Sequence, residues 1–342
     1  MSVLARARRI LVVTNMWPAD ERDYTGIFVR EQVEALRRAA SHWTFDVLEI
    51  AGRRGRVDYL VAVPRVRRAL RRGYDAVHAH YGLTGATVAL ARPSAPLLIT
   101  LHGNDVNWGW QLPISRIGAR RAAEVIAVSE QLRRSFGHER TRVLPCGVAT
   151  DRFRPLDRSA ARARLGIRAD AVVVLFPAHP DNPIKDHALF RAALDALPPV
   201  IQERVVERTL GAVPPADVPL EMAVADVVVL TSVAEGSPMV VKEALACGTP
   251  VVSVDVGDVR RVLEGLPGCA IVARDAGALA AAIEASVVSG VPGAEGPATA
   301  ERRRRVFELG LDAEAIAREL LGTYDAAISR SANGRPASVP AD

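Results

Sequence analysis

Residues Ala225–Asp258 read ADVVVLTSVAEGSPMVVKEALACGTPVVSVDVGD, and this stretch decides the fold. Asp226–Ser232 is a β-branched apolar run with the composition of a buried strand, and Ala234–Ser237 is the turn that ends it. Ser237 has the hydroxyl of a helix N-cap and Pro238 the fixed φ of a first helical residue, while Gly248 and Pro250 close the helix. A second apolar strand follows at once. The order strand, turn, helix, strand places a helix N-terminus, with its backbone N–H groups and positive dipole end, at Gly236–Met239, where a phosphate fits. Two carboxylates flank that spot. Glu235 lies in the turn, and Glu243 lies eight residues on, in a helix whose other residues after Pro238 are apolar apart from Lys242. A lone helical Glu ordinarily faces solvent beside its lysine. Here the turn, the cap and the second carboxylate coincide, which favours a site.

The pattern E-G-S-P-x4-E-A-x-A-C-G-T-P-V-V over Glu235–Val252 resembles the Glu-x7-Glu signature of the retaining glycosyltransferases of family 4. The motif is long and mixed in residue type, which makes it more specific than a Gly-rich loop. The resemblance implies an α/β protein of the GT-B fold, two Rossmann-like domains facing across a cleft. It also implies that Glu235 approaches the donor sugar at the catalytic centre and Glu243 the nucleotide ribose. Gly236, Ser237, Pro238, Met239 and Val240 would complete the donor contacts.

The 342 residues suffice for two α/β domains, and 49% of them are hydrophobic, enough for two sizeable cores. No apolar run is long enough to span a membrane, and MSVLARARRI lacks the apolar core of a secretory signal, so a cytoplasmic location is expected. Cys146, Cys247 and Cys269 have no metal-ligand spacing and read as reduced, packed thiols. The net charge of +5 is Arg-rich and local. Arg53, Arg54 and Arg56 share a loop, and Arg65, Arg67, Arg68, Arg71 and Arg72 crowd a predicted helix. Such a patch suits the anionic face of a membrane, although a general preference for Arg explains it as well. No nucleic-acid module or aromatic platform accompanies it, so nucleic acid is not an expected partner.

Along the chain, Arg9–Trp17 reads as a buried strand and Ile27–Ala40 as a helix with apolar residues at helical spacing. Gly26 stands in the first strand-to-helix turn, where a doubly wound sheet opens its ligand crevice. By resemblance it brings the backbone close to the substrates, and a plain turn glycine explains it equally. A helix over Asp58–Arg72 should kink or break at Pro64. The strands Asp75–His80 and Pro96–Leu101 end in histidine clusters at the same sheet edge. The loop His102-Gly103-Asn104-Asp105 resembles the family's H-G-x-D element, which implies that His102 contacts the donor sugar at the reacting centre. Asp105, Trp108 and Trp110 are candidate acceptor contacts, against which a turn-capping Asp and packed surface tryptophans are the plain alternatives.

V-L-P-C-G-V-x-x-D-R-F-R-P resembles the family's interdomain segment. The expected domains are therefore 1–150 on the acceptor side and 151–310 for the nucleotide sugar. The helix 311–328 should cross back to the first domain, and 329–342 is a disordered tail. Lys185 ends a strand-and-turn segment and reads as a diphosphate contact. The family's Arg five positions earlier is replaced by Pro180, and His179 is the nearest substitute. No Asp-x-Asp pair is present, so no metal and no cofactor are expected, and the helix end and Lys185 must meet the charge of the leaving diphosphate. The reading is a retaining glycosyltransferase that uses a nucleotide-diphosphate sugar and a hydroxyl acceptor by a front-face mechanism. The alternatives are a nucleotide-sugar epimerase or phosphorylase on the same scaffold, or a nucleotide-sugar-binding protein without transfer.

Overall fold

The computed structural model describes residues 6–21, 23–50, 55, 57–107, 109–288 and 296–333. The chain forms two compact units. Unit 1 comprises Met1–Ala19, Tyr24–Gly147 and Ala313–Asp342, and unit 2 comprises Val148–Asp312 with Asp20–Asp23.

Unit 1 holds six parallel strands, β1 (Arg9–Thr14), β2 (Thr44–Glu49), β3 (Ala76–His80), β4 (Leu97–Leu101), β5 (Glu124–Ala127) and β6 (Thr141–Val143), in the order β2-β1-β3-β4-β5-β6. Both β3 and β4 are buried at every position, as strands covered by helices on both faces must be. The helix Ala313–Ala332 belongs to this unit and supplies Ile316, Leu320, Leu321 and Tyr324 to its core beside Val29, Val33 and Leu36 of the helix Ile27–Ala39. Each such side chain removed from water contributes about 1.5–3 kcal/mol. The last helix is thus a structural member of the first sheet's core, and it runs four residues beyond Ile328 before the described chain ends at Asn333. The rest of the expected tail lies outside the described residues.

The kink or break expected at Pro64 does not end the helix, which runs unbroken over Val57–Leu70. Its buried contacts are made by Ala62 and Val66, on either side of the proline, and these hold both halves against the unit. Val57, Leu60 and Val61 are exposed on it, next to exposed Arg65, Arg67, Arg68, Arg71 and Arg72. Arg53, Arg54 and Arg56 lie outside the described residues.

Unit 2 holds β7 (Val172–Phe176), β8 (Val205–Thr209), β9 (Val227–Leu230), β10 (Val251–Val254) and β11 (Ala270–Val272), all parallel, in the order β11-β10-β9-β7-β8. β7, β9 and β10 are wholly buried, and they share one core with Val241, Ala244 and Leu245 of the helix Met239–Cys247. No helix among the described residues is long and apolar enough to cross a membrane.

Candidate active site

In unit 2 the strand order reverses between β7 and β9, because the chain leaves β7 for β8 on one side and returns to β9 on the other. An open parallel sheet binds its ligands outside the C-terminal ends of such a pair. Lys185 lies on the segment leaving β7 and Glu235 on the turn leaving β9. The structure brings them together: Lys185 Nζ donates to Glu235 Oε1 at 2.5 Å, and Ser232 Oγ donates to the same oxygen at 2.7 Å. The two side chains are 24% and 13% exposed, so this charge-assisted bond is less screened than a surface pair. Thr231 Oγ1 ties the two segments by donating to the carbonyls of Lys185 at 2.8 Å and Asp186 at 3.0 Å.

Sequence reasoning missed Arg274, two residues past the end of β11. Its Nη1 donates to the carbonyls of Thr231 at 2.6 Å and Ser232 at 3.1 Å, and its Nη2 pairs with Asp186. The available signal was a cation soon after a strand at the same sheet edge. His179 is 56% exposed and its Nδ1 accepts from the Asp181 N–H at 3.2 Å, which turns it into its own loop. Arg274 is the arginine that the structure ties to the segment carrying Lys185, through Asp186.

The turn after β9 differs from expectation by one residue. The helix spans Met239–Cys247 with Pro238 as its N-cap, and no side chain caps it. Ser237 is not the cap because its hydroxyl is engaged elsewhere: Oγ donates to Asp258 Oδ2 at 2.6 Å and accepts from Lys242 Nζ at 2.7 Å. Lys242 is not a solvated neighbour of Glu243 either, since it is fully buried, whereas Glu243 is half-buried. Gly236 and Pro238 are buried, and the Val240 side chain packs into the core of unit 2. At Met239 and Val240 the first helical turn has backbone N–H groups without intrahelical acceptors to offer an anion.

In unit 1, Gly26 has φ +70, and a Cβ there would lie 2.2 Å from the Met16 carbonyl oxygen. The backbone approach alone therefore requires glycine. His102 follows β4 and is half-buried. Its Nε2 meets His80 Nδ1 at 3.1 Å, the two rings stack at 5.3 Å, and Phe28 packs at 4.9 Å. Loss of hydration holds His102 down to about 3 and His80 well below its ordinary value. Both rings are neutral near pH 7, so one donates and the other accepts at this contact.

Asp105 is fully buried and cannot serve as the acceptor contact expected of it. It accepts from the N–H groups of Gly82 at 2.9 Å, Gly103 at 2.8 Å and His102 at 3.1 Å. This carboxylate shapes the loop that carries His102. Burial raises it to about 6, and its backbone donors oppose that shift. Trp110 is 37% exposed, and Trp108 lies outside the described residues. Tyr81, at the end of β3, has φ 86, a strained value of the kind found near functional sites. Its hydroxyl donates to Gln111 Oε1 at 2.5 Å, and Asn15 Nδ2 donates to the Tyr59 hydroxyl at 2.9 Å. Two pairs of neutral polar side chains are thus hydrogen-bonded in this unit.

Residues 4–152 match the family model described as Glycosyltransferase Family 4, and residues 181–287 match the model described as Glycosyl transferases group 1. Among curated relatives, the chain is 34% identical to D-inositol 3-phosphate glycosyltransferase of Geodermatophilus obscurus, over 62% of this chain and 59% of the relative. It is 32% identical to D-inositol 3-phosphate glycosyltransferase 2 of Catenulispora acidiphila, over 61% of this chain and 62% of the relative. The matched part thus spans about three fifths of the length of these relatives. Among solved structures, sucrose-phosphate synthase of Thermosynechococcus elongatus superposes with a TM-score of 0.77 at 23% identity, covering 94% of this chain and 99% of its own. HepE of Anabaena, solved in complex with UDP, gives 0.71 at 19% identity, covering 93% and 100%.

Proposed function

The chain belongs to glycosyltransferase family 4 and has the GT-B fold of two Rossmann-like units, and from this we propose that it moves a sugar, with retention, from a nucleoside-diphosphate sugar to a hydroxyl acceptor. The observation that carries the reading is the Lys185–Glu235 contact at the strand-order reversal, beside the first turn of the helix Met239–Cys247. A diphosphate there takes Lys185 Nζ and the N–H groups of Met239 and Val240, while Glu235 turns to the sugar hydroxyls and Glu243 to the ribose. The bond from the anomeric carbon to the diphosphate breaks as the acceptor oxygen adds on the same face. The acceptor proton passes to the departing phosphate oxygen, whose developing charge Lys185 and the helix end stabilise. By the family resemblance, His102 is proposed to meet the reacting sugar. The UDP bound to HepE supports a nucleotide donor, and relatives named for inositol phosphate support a polyol acceptor.

Incubation with a panel of UDP- and GDP-sugars and polyol acceptors, followed by NMR of the product's anomeric configuration, tests this. An inverted product overturns retention. A chain that binds nucleotide yet neither transfers nor hydrolyses any donor is a binder instead.

Activity is expected to survive excess EDTA. The described residues contain no group of three or more His, Cys, Asp or Glu placed to hold a metal, and the countercharge at hand is a lysine and a helix end. Complete loss restored by magnesium or manganese contradicts this.

We also propose that the helix Val57–Leu70 meets an anionic membrane surface, because exposed Val57, Leu60 and Val61 adjoin exposed Arg65, Arg67 and Arg68 on one element. Co-sedimentation with phosphatidylserine vesicles, lost on Arg65→Glu/Arg68→Glu and absent with phosphatidylcholine alone, is the expected result. Equal recovery with both lipids removes the assignment.

A further inference from the structure

Lys242 is a buried ammonium in the middle of an apolar helix face, and leaving it there without a purpose is costly. Side chains on a helix lean toward its N-terminus, so Lys242 reaches back from the second turn to the segment before the helix. There Nζ donates to Ser237 Oγ at 2.7 Å, and that hydroxyl donates to Asp258 Oδ2 at 2.6 Å. The strut therefore joins three separate pieces of chain: the helix Met239–Cys247, the turn that carries Glu235, and the start of the helix Val259–Leu263. Gly257, one residue before Asp258, presses on the same turn from behind. With φ +59, a Cβ at that position would lie 2.9 Å from the Gly236 carbonyl oxygen. Backbone contact and side-chain strut thus fix the same two residues, Gly236 and Ser237.

Building on the donor-site reading above, we propose that Lys242 is a positioning residue for the diphosphate. It holds Gly236–Pro238 in the shape that aims the Met239 and Val240 N–H groups at the phosphates, and its charge adds to the helix end from beneath. Lys242 acts through Ser237 in this arrangement, since its Nζ donates to the Ser237 hydroxyl. The role differs from plain core packing in a measurable way. Replacing a buried lysine by a hydrophobic side chain of similar length, with its partners left in place, costs stability whatever the lysine's role. A positioning lysine replaced in that way must also cost phosphate binding.

The experiment compares wild type, Lys242→Met and Ser237→Ala by calorimetric titration with UDP, GDP and uridine, with melting temperatures on the same preparations. Lys242→Met is expected to fold with a lowered melting temperature and to bind the nucleoside diphosphate about tenfold or more weakly, with uridine affinity little changed. Ser237→Ala is expected to lose affinity in the same direction by a smaller factor, because the ammonium remains. Wild-type diphosphate affinity in Lys242→Met overturns the proposal alone. If Lys242→Met does not fold, wild-type affinity in Ser237→Ala overturns it equally, and a selective diphosphate loss there upholds it. A wild-type chain that binds neither UDP nor GDP overturns the donor-site reading, and this inference falls with it.

Discussion

Lys185→Ala lowers the affinity for a nucleoside diphosphate by roughly ten- to a hundredfold, because a charge-assisted hydrogen bond contributes about 1.5–3 kcal/mol. The free protein explains why the loss falls toward the upper end. Lys185 is satisfied by Glu235 at 2.5 Å, and Glu235 is only 13% exposed. Removing the lysine leaves that carboxylate with the Ser232 hydroxyl and without its cation, facing the incoming phosphates with like charge. Glu235→Gln separates the two roles. The amide keeps the shape of the side chain but frees Lys185 from its anion, so diphosphate affinity is expected to stay level or rise. Turnover of the nucleotide sugar is expected to fall, since on the proposed reading the carboxylate meets the sugar. Titration of UDP or GDP into both variants, with turnover on the same samples, is the check. Unchanged affinity in Lys185→Ala removes this edge from the donor site.

The sheets and the crevice in unit 2 were legible in the sequence because they rest on period and type: β-branched runs fit only buried strands, and a Pro-started, Gly-ended helix has few other readings. Lys185 and Glu235 were legible as strand-end charges, but not as partners, because contact between residues fifty positions apart depends on strand order. Ser237 shows a different limit. Ser before Pro and an apolar run is good N-cap chemistry, yet a tertiary hydrogen bond to Asp258 and a buried lysine outcompete the local one. Lys242 and Arg274 were invisible for the same reason, since nothing within a turn of either says whether its charge faces water or a carbonyl. In the sequence Asp105 fits a turn former or an acceptor contact equally well. Its neighbours in sequence supply the His102 and Gly103 donors, but Gly82 arrives from the end of β3 and makes the site closed.

His102→Ala cuts turnover by about a hundredfold or more and leaves diphosphate affinity near the wild-type value. On the proposed role, a hydrogen bond from the imidazole to the sugar strengthens as positive charge develops at the anomeric carbon, so its loss appears in the transition state. On the proposed reading the diphosphate is held by Lys185 and the helix Met239–Cys247, whereas His102 is held in place by His80, Phe28 and the loop around Asp105. Because His102 is held down to about 3, it is neutral throughout the range in which the enzyme is assayed, and the loss should be the same at pH 6 and pH 8. Stability gives the control. With a folded value below the unfolded value of 6.5, the unfolded chain takes up the proton first. The stability tied to the neutral ring is therefore present above about pH 6.5 and is lost as pH falls toward 3, with a slope of up to about 1.4 kcal/mol per pH unit. His102→Ala removes that one proton from the balance, so the gap between melting temperatures at pH 7 and pH 5 should narrow in the variant. A merely packed histidine predicts that turnover and affinity decline together as the variant unfolds. A folded His102→Ala protein with wild-type turnover takes His102 out of the chemistry.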